Sequence, residues 1–263
     1  MTGFGTIACL GEVMLEVARE GASAARIGVA GDTFNTAVYL SRALGPGRVS
    51  YVTALGDDRQ SDHILAAMAA EGLDTAHVAR LPGQMPGLYM IDVEPGGERR
   101  FSYWRSTSAA RRMFLPDSGL RPGDLAGFGL VHLSGISIAI LSPAARDDLA
   151  AWLADHRARG GRLSFDSNYR PALWPDPAEA RRQMARFIAL ADIAFPSLDD
   201  EMALFGDRSA QEVLDRYAAL DDAGQLAFFM SLAESFGPDA QALAKTPVQA
   251  AGGEPAAEQT AAA

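Results

Sequence analysis

Four short segments of this 263-residue chain carry polar side chains whose types and spacing could bind or transform a small molecule. In the first, residues 28–37, Gly31 precedes Asp32 and Asn35 at the expected start of a helix. A glycine there lets the backbone approach a ligand closely, and the two polar side chains can exchange hydrogen bonds with hydroxyl groups. This chemistry suits a polyol, although an ordinary helix cap by Asp32 explains the same pattern.

The second segment, residues 87–105, combines phenol hydroxyls with a guanidinium group. If its two halves pair as strands around the turn at residues 94–98, Tyr89, Tyr103 and Arg105 would face one side. A guanidinium fork matches a carboxylate, which indicates a carboxylated sugar as the ligand. Cross-strand aromatic packing beside a surface arginine is the alternative interpretation.

The third segment, residues 166–174, follows an apolar run that we expect to be a strand. Ligands collect at the carboxyl ends of the strands in doubly wound sheets, so Asn168 and Arg170 are candidate binding residues. The alternative is a solvated loop that holds an Asp–Arg pair.

The fourth segment, residues 195–201, lies at another expected strand end and opens a helix. Ser197 can cap that helix, and acidic residues in its first turn suit the helix dipole without any ligand. The functional alternative is that Asp200 orders the waters of a magnesium ion, which is commonly held by one or two carboxylates.

The elements that must position these segments alternate along the chain to about residue 216, which predicts an α/β fold with a doubly wound sheet. The predicted strands are residues 6–10, 48–55, 130–134, 163–166 and 193–196. The predicted helices are residues 33–44, 61–71, 143–159, 177–191 and 198–205. Three further segments alternate apolar and polar residues and predict a small antiparallel sheet that serves as a lid. They are residues 12–17, 87–93 and 99–103.

In this order and spacing, the four segments resemble the ribokinase-like sugar kinases of the PfkB family over residues 5–216. Residues 30–35 stand where the family has Gly-Gly-x-x-x-Asn, and residues 166–170 match its Asp-x-Asn-x-Arg. The segment Ser197-x-x-Asp200 falls on the family's Asn-x-x-Glu, and residues 87–89 and 103–105 match its substrate lid. The resemblance is greatest to the family members that act on 2-keto-3-deoxygluconate.

The resemblance implies a ribokinase-like sheet with a β lid from residues 12–30 and 87–106. It also implies transfer of the ATP γ-phosphoryl group to the terminal hydroxyl of a 2-keto-3-deoxy sugar acid. The hydroxyl or keto groups would be held by Gly31, Asp32, Asn35 and Tyr89. The carboxylate end would be held by Tyr103, Arg105 and Arg170. Asn168 and Ser197 would lie by the nucleotide phosphates and Asp200 by Mg²⁺, and two copies could associate through the lid.

The family supplies its catalytic base and anion hole from a late Gly-Ala-Gly-Asp segment, which this sequence lacks. The nearest string, residues 235–240, places Pro238 where an amide donor is required, and proline has no amide hydrogen. We therefore assign no catalytic residue. We expect a kinase whose C-terminal nucleotide part is truncated and whose turnover is at or below detection.

After residue 216 the character of the sequence changes. Residues 217–236 have a helical periodicity, and residues 217–239 resemble the helical amino-terminal part of malonyl-CoA decarboxylases. We expect an incomplete kinase domain at 1–216, a foreign helical segment at 217–246 and a disordered tail at 247–263. A catalytically dead sugar-binding module and a non-functional fusion product remain alternatives.

The composition of the chain excludes several classes of binding partner. The net charge of −10, from 33 acidic and 23 basic residues, argues against nucleic acid. The sequence has no apolar stretch of about 20 residues and no signal-peptide pattern, so we expect a cytoplasmic protein without a membrane partner.

The single cysteine, Cys9, excludes an internal disulfide. A dehydrogenase is disfavoured because no Gly-x-Gly-x-x-Gly follows the first strand, and the four histidines lack metal-ligand spacing.

Overall fold

The computed structural model describes residues 5–21, 23–93 and 96–220, together with the backbone of residues 227 and 228. Its strands are β1 (Ile7–Leu10), β2 (Met14–Arg19), β3 (Ala25–Ala30), β4 (Val49–Leu55), β5 (Val78–Arg80), β6 (Gly87–Val93), β7 (Arg99–Trp104), β8 (Leu130–Ser134), β9 (Arg162–Asp166), β10 (Ile193–Phe195) and β11 (Ala227–Phe228). Its α-helices are α1 (Asp32–Leu44), α2 (Arg59–Ala70), α3 (Gly135–Ile140), α4 (Pro143–Ala158), α5 (Pro177–Leu190), α6 (Leu198–Phe205) and α7 (Ala210–Leu220).

Seven strands form the central sheet in the order β11-β10-β9-β8-β1-β4-β5, and every neighbouring pair is parallel. The strand order reverses its direction between β1 and β8, which makes this pair the switch point where doubly wound sheets bind ligands. Helices cover both faces, so the inner strands are continuous apolar runs rather than alternating ones.

The two faces of β1 belong to two separate hydrophobic clusters. Ile7 and Cys9 pack into the cluster that contains Phe34 of α1. Ala8 and Leu10 point to the opposite side, into the larger cluster built on α4 and α5. The period-two alternation of a strand therefore places both cores on one four-residue segment.

Helix starts follow from capping residues. Asp58 accepts hydrogen bonds from the Gln60 and Ser61 amides at the start of α2. Asp176 caps α5 in the same way, just before Pro177, whose missing amide hydrogen is not needed at that position. Within the described ranges, every helix is too short or too polar to cross a bilayer.

Four strands form a second sheet, the lid, in the order β3-β2-β6-β7. Its two hairpins are antiparallel and are joined by a parallel pair between β2 and β6. Leu15, Val29 and Leu88 of the lid pack against the body beside Phe34. The lid is thus anchored at one end by apolar contacts and projects at the other.

The structure confirms the doubly wound body with an added β lid, and the ten predicted helices and strands lie within about two residues of their observed bounds. The prediction did not give β3, β5, α3 and α7 as separate elements, although the expected lid range of 12–30 includes β3. The chain also differs from a single helix over residues 217–236, because α7 ends at Leu220 and Ala227–Phe228 pairs with β10 as a parallel strand. The rest of the predicted foreign segment and tail lies outside the described residues, so that domain division remains a prediction.

Tyr217 packs into the body although it stands at the predicted domain boundary. Its side chain is 1% exposed, and its hydroxyl donates a hydrogen bond of 3.2 Å to Glu201. Glu201 is fully buried and also pairs with Arg216 at 2.7 Å. A buried carboxylate needs such partners, so α7 completes the surroundings of α6.

We predict that Tyr217→Ala destabilises the domain by about 3–5 kcal/mol, because the change removes a buried ring and one partner of Glu201. This corresponds to a melting temperature lowered by about 10 °C, measured by circular dichroism. Leu220→Ala, on the same helix but 45% exposed, is the matched control and should shift the melting point little. Equal melting points for both variants would show that the chain from residue 217 is separate from the domain.

Candidate active site

A hydrogen-bond network joins the two halves of the central sheet at its switch point. Asp32, in the first turn of α1, accepts hydrogen bonds from the hydroxyl of Ser134 and from Nδ2 of Asn168 at 3.1 Å. Ser134 ends β8 and Asn168 follows β9, so three elements meet at one carboxylate. The third segment of the sequence analysis therefore lies beside the first.

The backbone at Asn168 is turned into the left-handed region, with φ at 27°. Asparagine tolerates this conformation better than most residues. Oδ1 of Asp166 accepts the Asn168 amide hydrogen at 3.1 Å and supports the turn. The turn directs the Asn168 side chain back toward Asp32.

The phosphate-side cavity, as we name the first of two cavities, has a volume of about 590 Å³. It is lined by Thr36, His132, Asp166, Asn168, Arg170, Phe195, Ser197, Asp199 and Asp200. Burial raises the pKa of Asp166 to about 7, and the nearby Asp32 carboxylate adds to the effect. Burial lowers the pKa of His132 to about 4, so its imidazole is neutral at pH 7.

Asp200 and Ser197 lie together at the N-terminus of α6. Asp200 accepts the Tyr169 amide hydrogen at 3.1 Å and lies 3.5 Å from the Arg170 guanidinium. Burial raises the pKa of Asp200, while Arg170 opposes the rise. The Ser197 amide donates to the hydroxyl of Ser167 at 3.2 Å, which ties the ends of β9 and β10 to each other.

The donor chemistry of this cavity fits a hydrated magnesium ion held with phosphate groups. Asp166, Asp199 and Asp200 offer carboxylates, and magnesium commonly takes one or two of these while keeping its water. Among the described residues no cluster of three His, Cys, Asp or Glu side chains could enclose a metal. A ligand's phosphates and water would therefore supply most of the coordination.

The acid-side cavity, about 440 Å³, lies beneath the lid. It is lined by Tyr103, Arg105, Ser106, Arg111, Ile136, Arg170, Ala172 and Leu173. Arg170 lines both cavities, so the two spaces meet at this residue. The expected carboxylate-binding residues Tyr103, Arg105 and Arg170 are brought together here.

Arg105 is already paired with a carboxylate of the protein. It forms an ion pair with Glu12, which is 1% exposed and also accepts a hydrogen bond from the Ser108 hydroxyl. Burial raises the pKa of Glu12, against the opposing effects of Arg105 and Ser108. Glu12 follows β1 and Arg105 follows β7, so this pair connects the body with the lid.

Two glycines leave room for Glu12 and its contact with Arg105. A Cβ atom on Gly87 would lie 2.8 Å from Oε1 of Glu12 and 3.3 Å from Cβ of Arg105. A Cβ atom on Gly31 would lie 2.4 Å from the Glu12 carbonyl oxygen. Gly31 is predicted to contact substrate. The structure gives a second reason for a glycine there, because a side chain would collide with the backbone of Glu12.

Tyr89 lies behind the acid-side cavity rather than in its lining. Its hydroxyl donates a hydrogen bond of 2.5 Å to Glu16, and its ring centroid lies 5.8 Å from that of Tyr103. Burial and Glu16 raise its pKa. Tyr89 therefore supports Tyr103 from behind.

Asn35 is separated from the other candidates. Its side chain is exposed and lines a groove of about 520 Å³ between α1 and α2, together with Tyr39 and His63. Neither of the two cavities described above includes it.

Several residues of the site were not selected from the sequence. Glu12, Ser134 and Asp166 each stand at or directly after the end of a central strand. Their position at the carboxyl edge of a parallel sheet was the available signal. Arg111 carried no such signal, since it lies in a 3₁₀ turn after the lid.

We predict that Asp166→Asn is more stable than the parent chain at pH 8. A folded-state pKa above the unfolded value means that ionisation of Asp166 opposes folding, so the parent loses stability as pH rises from about 4 to 7. The asparagine avoids that loss and keeps an acceptor for the Asn168 amide. The gain should be on the order of 1 kcal/mol at pH 8 and vanish near pH 4 in thermal unfolding.

Asp199→Asn is the matched control, because Asp199 lines the same cavity but is exposed. It should leave the pH profile unchanged. A less stable Asp166→Asn variant at pH 8 would contradict the buried-charge argument.

Known proteins place this site in a family. The family model described as pfkB family carbohydrate kinase matches residues 6–235 and so continues past Arg216. Over 213 residues the chain is 46% identical to a 2-dehydro-3-deoxygluconokinase of Dickeya dadantii, covering 80% of this chain and 68% of the relative. It is 43% identical to the protein of that name from Escherichia coli, covering 80% and 69%.

The fold agrees with these sequence relationships. A crystal structure of a PfkB protein from Polaromonas superposes with a TM-score of 0.75 at 28% identity, covering 86% of this chain and 76% of the other. Sequence, fold and the placement of the site at the switch point lead to one conclusion. The chain belongs to the pfkB family of carbohydrate kinases.

Proposed function

We propose that this chain is a cytoplasmic protein that binds a 2-keto-3-deoxy sugar acid of the 2-keto-3-deoxygluconate class in the acid-side cavity. The observation that carries the proposal is the position of Arg170, which joins a cavity lined by arginines to a cavity lined by carboxylates and amides. A sugar acid presents a carboxylate at one end and a hydroxyl at the other, and such an arrangement fits both ends. The name shared by the relatives from Dickeya and Escherichia supports the choice of acid.

Tyr103, Arg105 and Arg170 would hold the carboxylate end, and Gly31 and Asp32 would contact hydroxyl or keto groups. Tyr89 would act through Tyr103, whose ring it supports. The geometry lends no support to a substrate contact by Asn35, which faces the groove between α1 and α2.

The phosphate-side cavity is where the resemblance puts the phosphoryl donor, ATP with Mg²⁺, and we propose that a chain without a Gly-Ala-Gly-Asp segment binds this donor too weakly to shift its melting temperature. Asn168 and Ser197 would lie by the phosphates, and Asp200 would face the magnesium ion through water. Bound magnesium would supply neutralisation of phosphate charge, which is the main demand of phosphoryl transfer. Asp32 holds Asn168 in place for this role, through the hydrogen bond of 3.1 Å.

We further propose that the 263-residue chain transfers phosphate at or below detection. Its sequence contains no Gly-Ala-Gly-Asp segment to supply a base and an anion hole. Loss of one oxyanion donor alone costs enzymes about 10²–10³ in rate. The chain would then act as a sugar-acid binder.

Calorimetry and a coupled assay test these proposals together. We expect 2-keto-3-deoxygluconate to bind and to raise the melting temperature, and ATP with magnesium to give no shift. Coupled turnover should stay at background, with the Escherichia coli relative as positive control. Absence of sugar-acid binding would overturn the proposed ligand, whereas clear magnesium-dependent turnover would overturn only the proposed inactivity.

We also propose that two copies associate through the lid. Its edge strands β3 and β7 expose large apolar side chains, with Ile27 at 64% and Trp104 at 58%. Such edges commonly need cover in a stable protein.

We predict that Ile27→Glu lowers the dimer fraction in sedimentation velocity at micromolar concentration, because it places a charge in the apolar contact. Leu44→Glu is the control, since Leu44 is 50% exposed but lies at the end of α1, outside the lid. A monomeric parent chain, or equal effects of both variants, would contradict association through the lid.

A further inference from the structure

The acid-side cavity holds more positive charge than the carboxylates among the described residues balance. Arg105, Arg111 and Arg170 all line it. Arg105 is paired with Glu12, and Arg170 lies 3.5 Å from Asp200. The balance therefore depends on Arg111.

Arg111 is partly buried and, within the described ranges, its guanidinium group makes no hydrogen bond or ion pair, while its backbone amide donates to the Ser108 carbonyl at 3.1 Å. Its neighbour Arg112, on the same 3₁₀ turn, is paired with Asp117 instead. The positive charge of Arg111 also acts on Glu12. It opposes the rise in the pKa of Glu12 that burial causes, less strongly than Arg105 and Ser108 do. Arg105 takes the one buried carboxylate of this region, so the guanidinium group of Arg111 keeps its positive charge in the cavity without a paired carboxylate among the described residues.

A second observation indicates that an acceptor belongs in this space. Nε of Arg105 is buried and has no hydrogen-bond acceptor in the described part of the chain. A buried donor without an acceptor is unfavourable, and a ligand oxygen would satisfy it. The unpaired donor and the uncompensated charge occur in the same cavity.

We propose that Arg111 is the specificity-determining anchor for the ligand carboxylate. This inference rests on the proposed function and assigns its charge recognition to a residue outside the four sequence segments. Arg105, whose charge is balanced by Glu12, offers its unpaired Nε to a ligand oxygen, whereas Arg111 supplies the charge that one ligand carboxylate neutralises. Sugars with a single negative charge are therefore preferred over neutral sugars of the same size.

The test compares 2-keto-3-deoxygluconate with its uncharged methyl ester by calorimetry. Arg111→Ala should weaken binding of the acid at least tenfold and change binding of the ester less than twofold. Arg111→Lys should recover part of the lost affinity, because it keeps the charge but loses the planar fork. Arg112→Ala, on the same turn and paired outside the cavity, should bind both ligands within twofold of the parent chain.

Each outcome has a definite consequence. Unchanged acid binding in Arg111→Ala, with the parent binding normally, overturns the role of Arg111 and leaves the proposed function intact. Equal losses for acid and ester in both Arg111 variants, with lowered melting points, show a structural role and also overturn the inference. A parent chain that binds neither ligand overturns the proposed function, and the anchor with it.

Discussion

The ion pair between Glu12 and Arg105 determines where the lid sits on the body. One partner follows the central strand β1 and the other leaves the last strand of the lid. A buried pair adds little net stability over an apolar contact, but removing one partner typically costs about 3–5 kcal/mol because the other is left uncompensated. The pair therefore selects one lid position strongly. Gly87 and Gly31 let the chains approach closely enough for it to form.

With the lid in this position, the cleft has a positively charged part and a negatively charged part. Arginines gather under the lid, while carboxylates and amides gather at the ends of β9 and β10. The raised pKa of Asp166 reflects first its burial and then the neighbouring Asp32 carboxylate. The hydrogen bonds to Asp32 tie the start of α1 to the end of β8 and to the turn after β9.

Most of the body could be predicted from the sequence, because its strands are long apolar runs and its helices have capping residues. Residues 135–140 could not, since their apolar run has no period that distinguishes a strand from a buried helix. β5 is only three residues long at a sheet edge. The motif residues Asp32, Asn168 and Arg170 were found by position, whereas Glu12 was missed because its burial depends on contacts 93 residues away, at Arg105.

Arg111 and Arg112 show the limit of sequence reasoning more sharply. The two arginines are neighbours in the sequence. The structure distinguishes them, because Arg112 pairs with Asp117 whereas Arg111 lines the acid-side cavity. Asn35 shows a different limit: it stands one helical turn from Asp32 but lines the groove between α1 and α2, so its contact with substrate stays a prediction.

The shared position of Arg170 has a thermodynamic consequence for the cleft. Its side chain is 54% exposed and borders both cavities, so a ligand carboxylate that drew it toward the lid would weaken its contact with Asp200. Occupancy of one cavity would then change the charge that the other presents. Linkage requires that two ligands coupled in this way alter each other's binding free energy by the same amount. A single side chain would thus couple any two ligands that occupied both cavities.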